Sequence, residues 1–231
     1  ANAMSAPTVT NCIFSGNSAD LYGGGMANAM SAPTVTNCTF SRNSAALGGG
    51  MFNFVTVMTG DPTVTNCIFW GDTPDEIAKF WSNPTVTYSD VQGGWGGAGN
   101  IDADPCFVNA AGDDLRLLYD SPCVDAGNNG EPNLPLTDPD GHPRIIDGDC
   151  DEIEVVDMGA YEFNYAYMGD LDYNCSVNFF DFSILGRAWE TQEGDPDWDW
   201  ACDISDPPDD YIDWRDAAIL CDNWLAGTEP W

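Results

Sequence analysis

The chain of 231 residues carries 38 acidic residues against six basic ones and one histidine, a formal charge of −32, yet it is 43% hydrophobic and 12% aromatic. That much apolar material excludes a disordered acidic tail. The charge repels phosphate backbones and anionic lipid, which argues against nucleic-acid and membrane-surface partners, and no apolar run approaches the ~20 residues of a membrane span. The acid is unevenly placed, with 6 acidic and 2 basic residues in 1–100, 16 and 2 in 101–168, and 16 and 2 in 169–231.

Residues 1–99 are built on a repeat. PTVTNC occurs at 7–12, 33–38 and 62–67 and decays to PTVTYS at 84–89, while ANAMSAPTVTNC at 1–12 recurs letter for letter at 27–38. Starts are 26, 29 and 22 residues apart, and a period in the twenties predicts a solenoid of stacked coils. Each repeat reads as a Thr-Val-Thr strand, an Asn-Cys corner, an apolar pair and a polar turn. A second motif, Gly23-Gly24-Gly25-Met26 and Gly48-Gly49-Gly50-Met51, predicts a tight corner leading into another strand. These features resemble the right-handed parallel β-helix, the pectate-lyase-like solenoid. The resemblance implies an inward column of Val9, Val35, Val64 and Val86, an aromatic column of Phe14, Phe40 and Phe69, and an asparagine ladder of Asn11, Asn37 and Asn66. Cys12, Cys38 and Cys67 share one repeat position and are expected as a buried apolar column. The chain opens inside a repeat, Ala1 matching Ala27, with neither an initiator Met nor a signal peptide. Further coils and an export signal are therefore expected upstream.

The resemblance implies that lyases and hydrolases on this fold use an Arg, Lys or Tyr base, or clustered carboxylates, on the solvent face. Here Arg42 and Lys79 are the cations of the coils, and Asp20, Asp61, Asp72, Asp75, Glu76 and Asp90 recur at no common position. No catalytic constellation is expected, and Trp70, Trp81 and Trp95 read as packing.

Residues 100–163 change pattern. An open solenoid end exposes unpaired strand edges and has to be covered. The series from Ala103-Asp104-Pro105 through Ser121-Pro122-Cys123, Asp138-Pro139-Asp140-Gly141-His142-Pro143-Arg144 and Asp157-Met158-Gly159-Ala160-Tyr161-Glu162 resembles the C-terminal region of secreted bacterial β-helix proteins. That resemblance implies a β-rich last coil and cap. His142, the sole histidine, reads as structural; Asp138, Asp140 and Asp147 could hold a cation, though Asp in Pro/Gly turns commonly just bonds its own backbone. Of nine cysteines, Cys106, Cys123, Cys150, Cys175, Cys202 and Cys221 lie in the loop-rich part, where a disulfide or two is expected if the protein is exported. No CxxC pair exists, which argues against zinc. Residues 164–168 read as a linker.

Residues 169–227 carry the functional signal. Asp170, Asp172, Asn174, Asn178 and Asp181 stand at loop positions 1, 3, 5, 9 and 12, with an apolar Val177 at position 8 and a helical run afterwards, where Phe182, Leu185 and Trp189 share a face. Calcium needs six to eight oxygens, and such alternation plus the Ser176 carbonyl at position 7 supplies them. Thirty-five residues on, Asp216, Ile219-Leu220 and Trp224 match Asp181, Ile184-Leu185 and Trp189. With a two-residue insertion through Pro207-Pro208, the second ligand set is Asp203, Ser205 or Asp206, Asp209 or Asp210, the Tyr211 carbonyl, Asp213 and Asp216.

This duplicated loop–helix, ending in Asp at position 12, resembles a type I dockerin, a small all-α module of two calcium loop–helix motifs. It departs from the pattern in having Cys175 at position 6, where glycine is usual, and in the enlarged second loop. The resemblance implies two Ca2+ ions, a cohesin-like domain or cell-surface scaffold as partner, and contacts through positions 10 and 11, here Phe179, Phe180, Trp214 and Arg215. It places the protein outside the cell, with polysaccharide as a further candidate partner. Three functions stay open: a secreted scaffold fastened by its calcium module, the rear part of a polysaccharide lyase or glycoside hydrolase with its active site upstream, and an adhesin or surface-layer component.

Overall fold

The computed structural model describes residues 1–55, 61–118, 120–163, 169–172, 174–199, 202–205 and 209–227. The linker expected at 164–168 and the insertion residues Asp206, Pro207 and Pro208 lie outside them. The chain forms two compact units, one of residues 1–148 with 153–163 and the other of 149–152 with the residues beyond 163.

The first unit is a parallel β-solenoid. Three complete coils each contain three short strands: β2 (Thr8–Thr10), β3 (Ile13–Ser15) and β4 (Met26–Ala29), then β5 (Thr34–Thr36), β6 (Thr39–Ser41) and β7 (Met51–Phe54), then β8 (Thr63–Thr65), β9 (Ile68–Trp70) and β10 (Ile77–Phe80). They are preceded by β1 (Asn2–Ala3), and β11 (Thr85–Thr87) and β12 (Asp90–Val91) begin a fourth coil. Strands at the same stage of successive coils pair, giving four-stranded sheets β1-β4-β7-β10, β2-β5-β8-β11 and β3-β6-β9-β12. Strands this short are unstable alone; each buries its inner face only by stacking on its neighbours.

The register stacks like on like. Val9, Val35, Val64 and Val86 lie in line, and Phe14, Phe40 and Phe69 lead to Val91. The three rings are nearly parallel, with centroids 4.6 and 4.3 Å apart. Cys38 and Cys67 are fully buried beside Cys12 in the same core.

Asparagine ladders form, but away from the expected corner. Asn2 Nδ2 donates to Asn28 Oδ1 at 2.9 Å and Asn28 Nδ2 to Asn53 Oδ1 at 2.8 Å. A second ladder runs from Asn17 through Asn43 to Asp72, at 2.9 and 2.8 Å. Asn11, Asn37 and Asn66 have another task. They hold the left-handed corner between paired strands (φ 51°, 47° and 53°), a conformation asparagine tolerates. Their amides donate outward to the Thr137, Asp157 and Asn128 carbonyls, with only a long 3.4 Å link from Asn66 to Asn37.

Those outward bonds reveal where 100–163 goes. Residues around Ile101 close the top, where Asn100 Nδ2 donates to the Val86 carbonyl and Ile101 bridges Asp90. Apart from 149–152, which belong to the second unit, the rest does not cap an end; it runs along the flank of the coils. The hairpin of β13 (Phe107–Asn109) and β14 (Asp114–Leu117) places Asp113 against Ser15 and Arg42. Leu117, Cys123 and Met158 bury the outward face of Ile68 in a second apolar cluster. The physical reason is that the outer face of β3-β6-β9-β12 carries apolar residues such as Ile68 and needs a cover. Arg144, 1% exposed, anchors this segment, its guanidinium 2.6 Å from Glu162 and bonded to Asn11.

One inward corner breaks the pattern. Gly25 and Gly50 sit where a Cβ would stand 2.9 and 3.1 Å from the rings of Phe40 and Phe69. In the next coil the matching residue is Glu76, and the ring above is replaced by Val91, which leaves room for a side chain. Glu76 and Asp72 are both buried, and the Asp72 amide donates to the Glu76 carboxyl at 3.1 Å. Burial, and then the bond shared with Asp72, pushes Glu76 up to about 9. The folded state thus holds a proton that the unfolded chain releases near pH ~4.3, so this group's contribution to stability falls as pH rises between those values. Glu76→Gln should be more stable than the parent at pH 8, with the difference vanishing toward pH 4. Thermal melts across that range check this, and parallel pH profiles would contradict it.

Candidate metal centres

The second unit is organised by two helices, α1 (Phe179–Arg187) and α2 (Trp214–Asp222). Each begins with a capping box: Asn178 and Asp213 accept from the second helical amide, and Asp181 and Asp216 reach back to the cap amides at 2.7 and 2.8 Å. Such reciprocal bonds satisfy amides the helix itself leaves free.

The same two carboxylates gather the loops. Asp181 Oδ1 accepts from the Leu171 and Asp172 amides at 2.7 and 3.2 Å, as Asp216 Oδ1 accepts from Ser205 at 2.9 Å. Asp170 accepts from the amides of Asn174 and Cys175, and Asp203 from those of Asp209 and Asp210. Cys175 and Asp210 both take left-handed φ, 63° and 59°. The loops correspond with the two-residue insertion of the sequence alignment, Asp203 being the first residue of the second. Val177 pairs with Leu225 and Ala226 after α2, and Ile212 pairs with Glu190 and Thr191 after α1. The unit is therefore internally two-fold in its bonding, around a core of Leu171, Val177, Leu185, Ile204, Ile212 and Leu220.

Asp170, Asp172 and Asp181 bring carboxylate oxygens within 4.8 Å of one another, and Asp170 and Asp181 are buried. Burial, and secondarily the neighbouring Asp181 and Asp172, pushes Asp170 up to about 6; burial and Asp181 also raise Asp172. Three crowded acids at a helix N-terminus suit a hard, oxygen-loving cation. Calcium fits this donor set, and when bound it would supply the positive charge that the three acids lack.

The other expected ligands are placed as follows. Asn178 caps α1, and its Nδ2 donates to the Ser176 carbonyl at 3.1 Å. Asn174 is exposed. In the second loop Asp209 forms an ion pair with Arg215, and the Asp209 carboxylate also accepts the Tyr211 amide. Ser205 Oγ donates to Asp203 at 3.2 Å. Burial raises Asp216, with Asp203 adding to the effect. Among the described residues, the second loop has no three acids as close as those of the first.

Phe179, Phe180 and Trp214 are strongly exposed, 76%, 70% and 67%. Phe179 also meets Trp224 edge to face at 5.1 Å. The buried row of α1 is Asp181 and Leu185, continued by the C-cap residue Ala188, with Phe182 and Trp189 outside it, because Asp181 faces inward to hold the loop. Composition alone could not pair the cysteines: Cys150 and Cys175 form a disulfide within this unit.

Elsewhere, Asp138, Asp140 and His142 also lie close together. There Asp138 accepts the Asp140, His142 and Glu162 amides, and Arg116 pairs with Asp140 at 2.8 Å. That cluster is a hydrogen-bonded turn with its own cation. Burial pushes Asp138 up, but the bonds from His142 and the Glu162 amide hold it below its ordinary range. No family model, curated protein or solved structure matches the chain.

Because Asp181 accepts three backbone amides, Asp181→Ala should cost about 2–4 kcal/mol even in chelator. Urea unfolding followed by tryptophan fluorescence checks this, and a loss under ~1 kcal/mol would contradict it.

Proposed function

We propose that the chain is a secreted, non-catalytic scaffold. A right-handed β-helix rod is fastened to a cohesin-like domain or cell-surface scaffold by a dockerin-like module holding two calcium ions, in the setting of polysaccharide binding or degradation. Right-handed winding is the sense nearly all parallel crossovers take. The observation that carries the reading is the doubled loop–helix, in which Asp181 and Asp216 perform the same bonding 35 residues apart, with a carboxylate cluster at the first.

Three further observations support it. The disulfide suits an oxidising, extracellular compartment. No described helix is long and apolar enough to cross a membrane. Exposed large side chains sit at equivalent positions of the two helices, Phe179 and Phe180 on one and Trp214 and Arg215 on the other, and aromatic and arginine side chains are the usual anchors of protein interfaces. Against an enzyme among these coils, the carboxyl pair Asp72–Glu76 is sealed from solvent, 8% and 6% exposed, and cannot reach a glycan.

The full chain should bind two calcium ions in calorimetry, with Asp181→Asn and Asp216→Asn each removing one. Phe180→Ala combined with Trp214→Ala should weaken capture on a cohesin panel by roughly tenfold or more while calcium binding persists. Heats no different from a chelator blank would defeat the reading.

A further inference from the structure

We propose that the Cys150–Cys175 disulfide sets the metal affinity of the first loop, so that a dithiol reductant switches that loop, and not the second, to a weak-binding form. This rests on the metal reading above. Cys175 is at loop position 6, with φ 63°. Its amide donates to Asp170 Oδ2 at 2.7 Å, so the backbone at Cys175 orients the buried carboxylate that opens the acid cluster. A left-handed conformation is costly for a residue other than glycine and persists only where the surroundings enforce it. The bond to Cys150, 25 residues away in sequence, supplies that enforcement.

The molecule contains its own control. In the second loop Asp210 holds the same place, with φ 59° and its amide on Asp203 Oδ2 at 2.8 Å. It has no cross-link, and aspartate tolerates this conformation locally. Redox chemistry can therefore act on one loop alone. A thiolate of the dithiol attacks the disulfide, the S–S bond breaks, and closure of the reductant to a cyclic disulfide delivers two electrons and two protons to Cys150 and Cys175. Reduction removes the cross-link that holds Cys175 in its left-handed conformation, and with it the fixed orientation of the amide donor on Asp170. The apparent dissociation constant rises as the competent fraction of the loop falls. By reciprocity, calcium in the first loop resists reduction of the disulfide by the same factor.

The test uses the full chain carrying Asp216→Asn, so that the first loop alone is titrated with calcium, before and after reduction by excess dithiol. Affinity should fall about tenfold on reduction. Equal affinity in both states overturns the redox link and leaves the metal reading intact, whereas no binding by the oxidised chain overturns both. A second measurement needs no substitution. In the wild-type chain at a fixed dithiol concentration, alkylation and mass spectrometry report the fraction of Cys150 and Cys175 reduced. Calcium should lower that fraction severalfold compared with chelator, and equal fractions overturn the proposal.

Discussion

Everything in the first unit depends on the in-register stacking of like side chains from coil to coil. A three-residue strand such as β5 has too few bonds and too little apolar area to persist alone. Placed between β2 and β8, it gains both ladders at once, and Val35 becomes fully buried. The identity of residues 1–12 and 27–38 follows from this constraint, because a side chain that packs well on its own copy can be used at every level. The same constraint explains Gly25 and Gly50 beside the rings of Phe40 and Phe69, and why Glu76 enters only where Val91 ends the aromatic column.

A shared device appears in both units: a short polar side chain standing at or facing a left-handed corner. In the solenoid, Asn11, Asn37 and Asn66 turn the chain and use their amides to hold the flanking segment. In the second unit, Asp170 and Asp203 face the corners at Cys175 and Asp210 and accept their amides. The difference lies in charge. Asparagines stack or bridge without repulsion, whereas Asp170, Asp172 and Asp181 crowd like charges into a cluster that could hold a cation.

The coils were legible in the sequence because a fixed period with a repeated strand and corner leaves little choice of architecture. Valine and phenylalanine columns followed directly from the register. The asparagine ladder did not, since Asn11, Asn17 and Asn2 all recur with the repeat and sequence alone cannot tell an inward amide from one at an outward corner. The path of 107–163 was also hidden. Its motifs read as an end cap, but its partners, such as Asn37 for the Asp157 carbonyl, lie some 120 residues away. In the loops, the spacing of Asp170 and Asp181 predicted their meeting, while the inward turn of Asp181 fixed the buried face of α1 against the pattern read from Phe182 and Trp189.

A solenoid of self-similar coils with 6 acidic and 2 basic residues in 1–100, in a chain that also carries an acidic unit with a paired loop–helix motif, is what the proposed attachment role rests on. The described coils offer no open carboxylate pair, and the module offers a cation-seeking cluster beside exposed aromatic side chains. The central claim is that calcium organises this module and leaves the rod unchanged. Hydrogen–deuterium exchange of the full chain, with and without calcium and resolved by segment, tests it most directly. Strong added protection across 169–227 with no change across 8–118 is the result expected. Unchanged exchange in 169–227, or protection gained mainly in the coils, would contradict it.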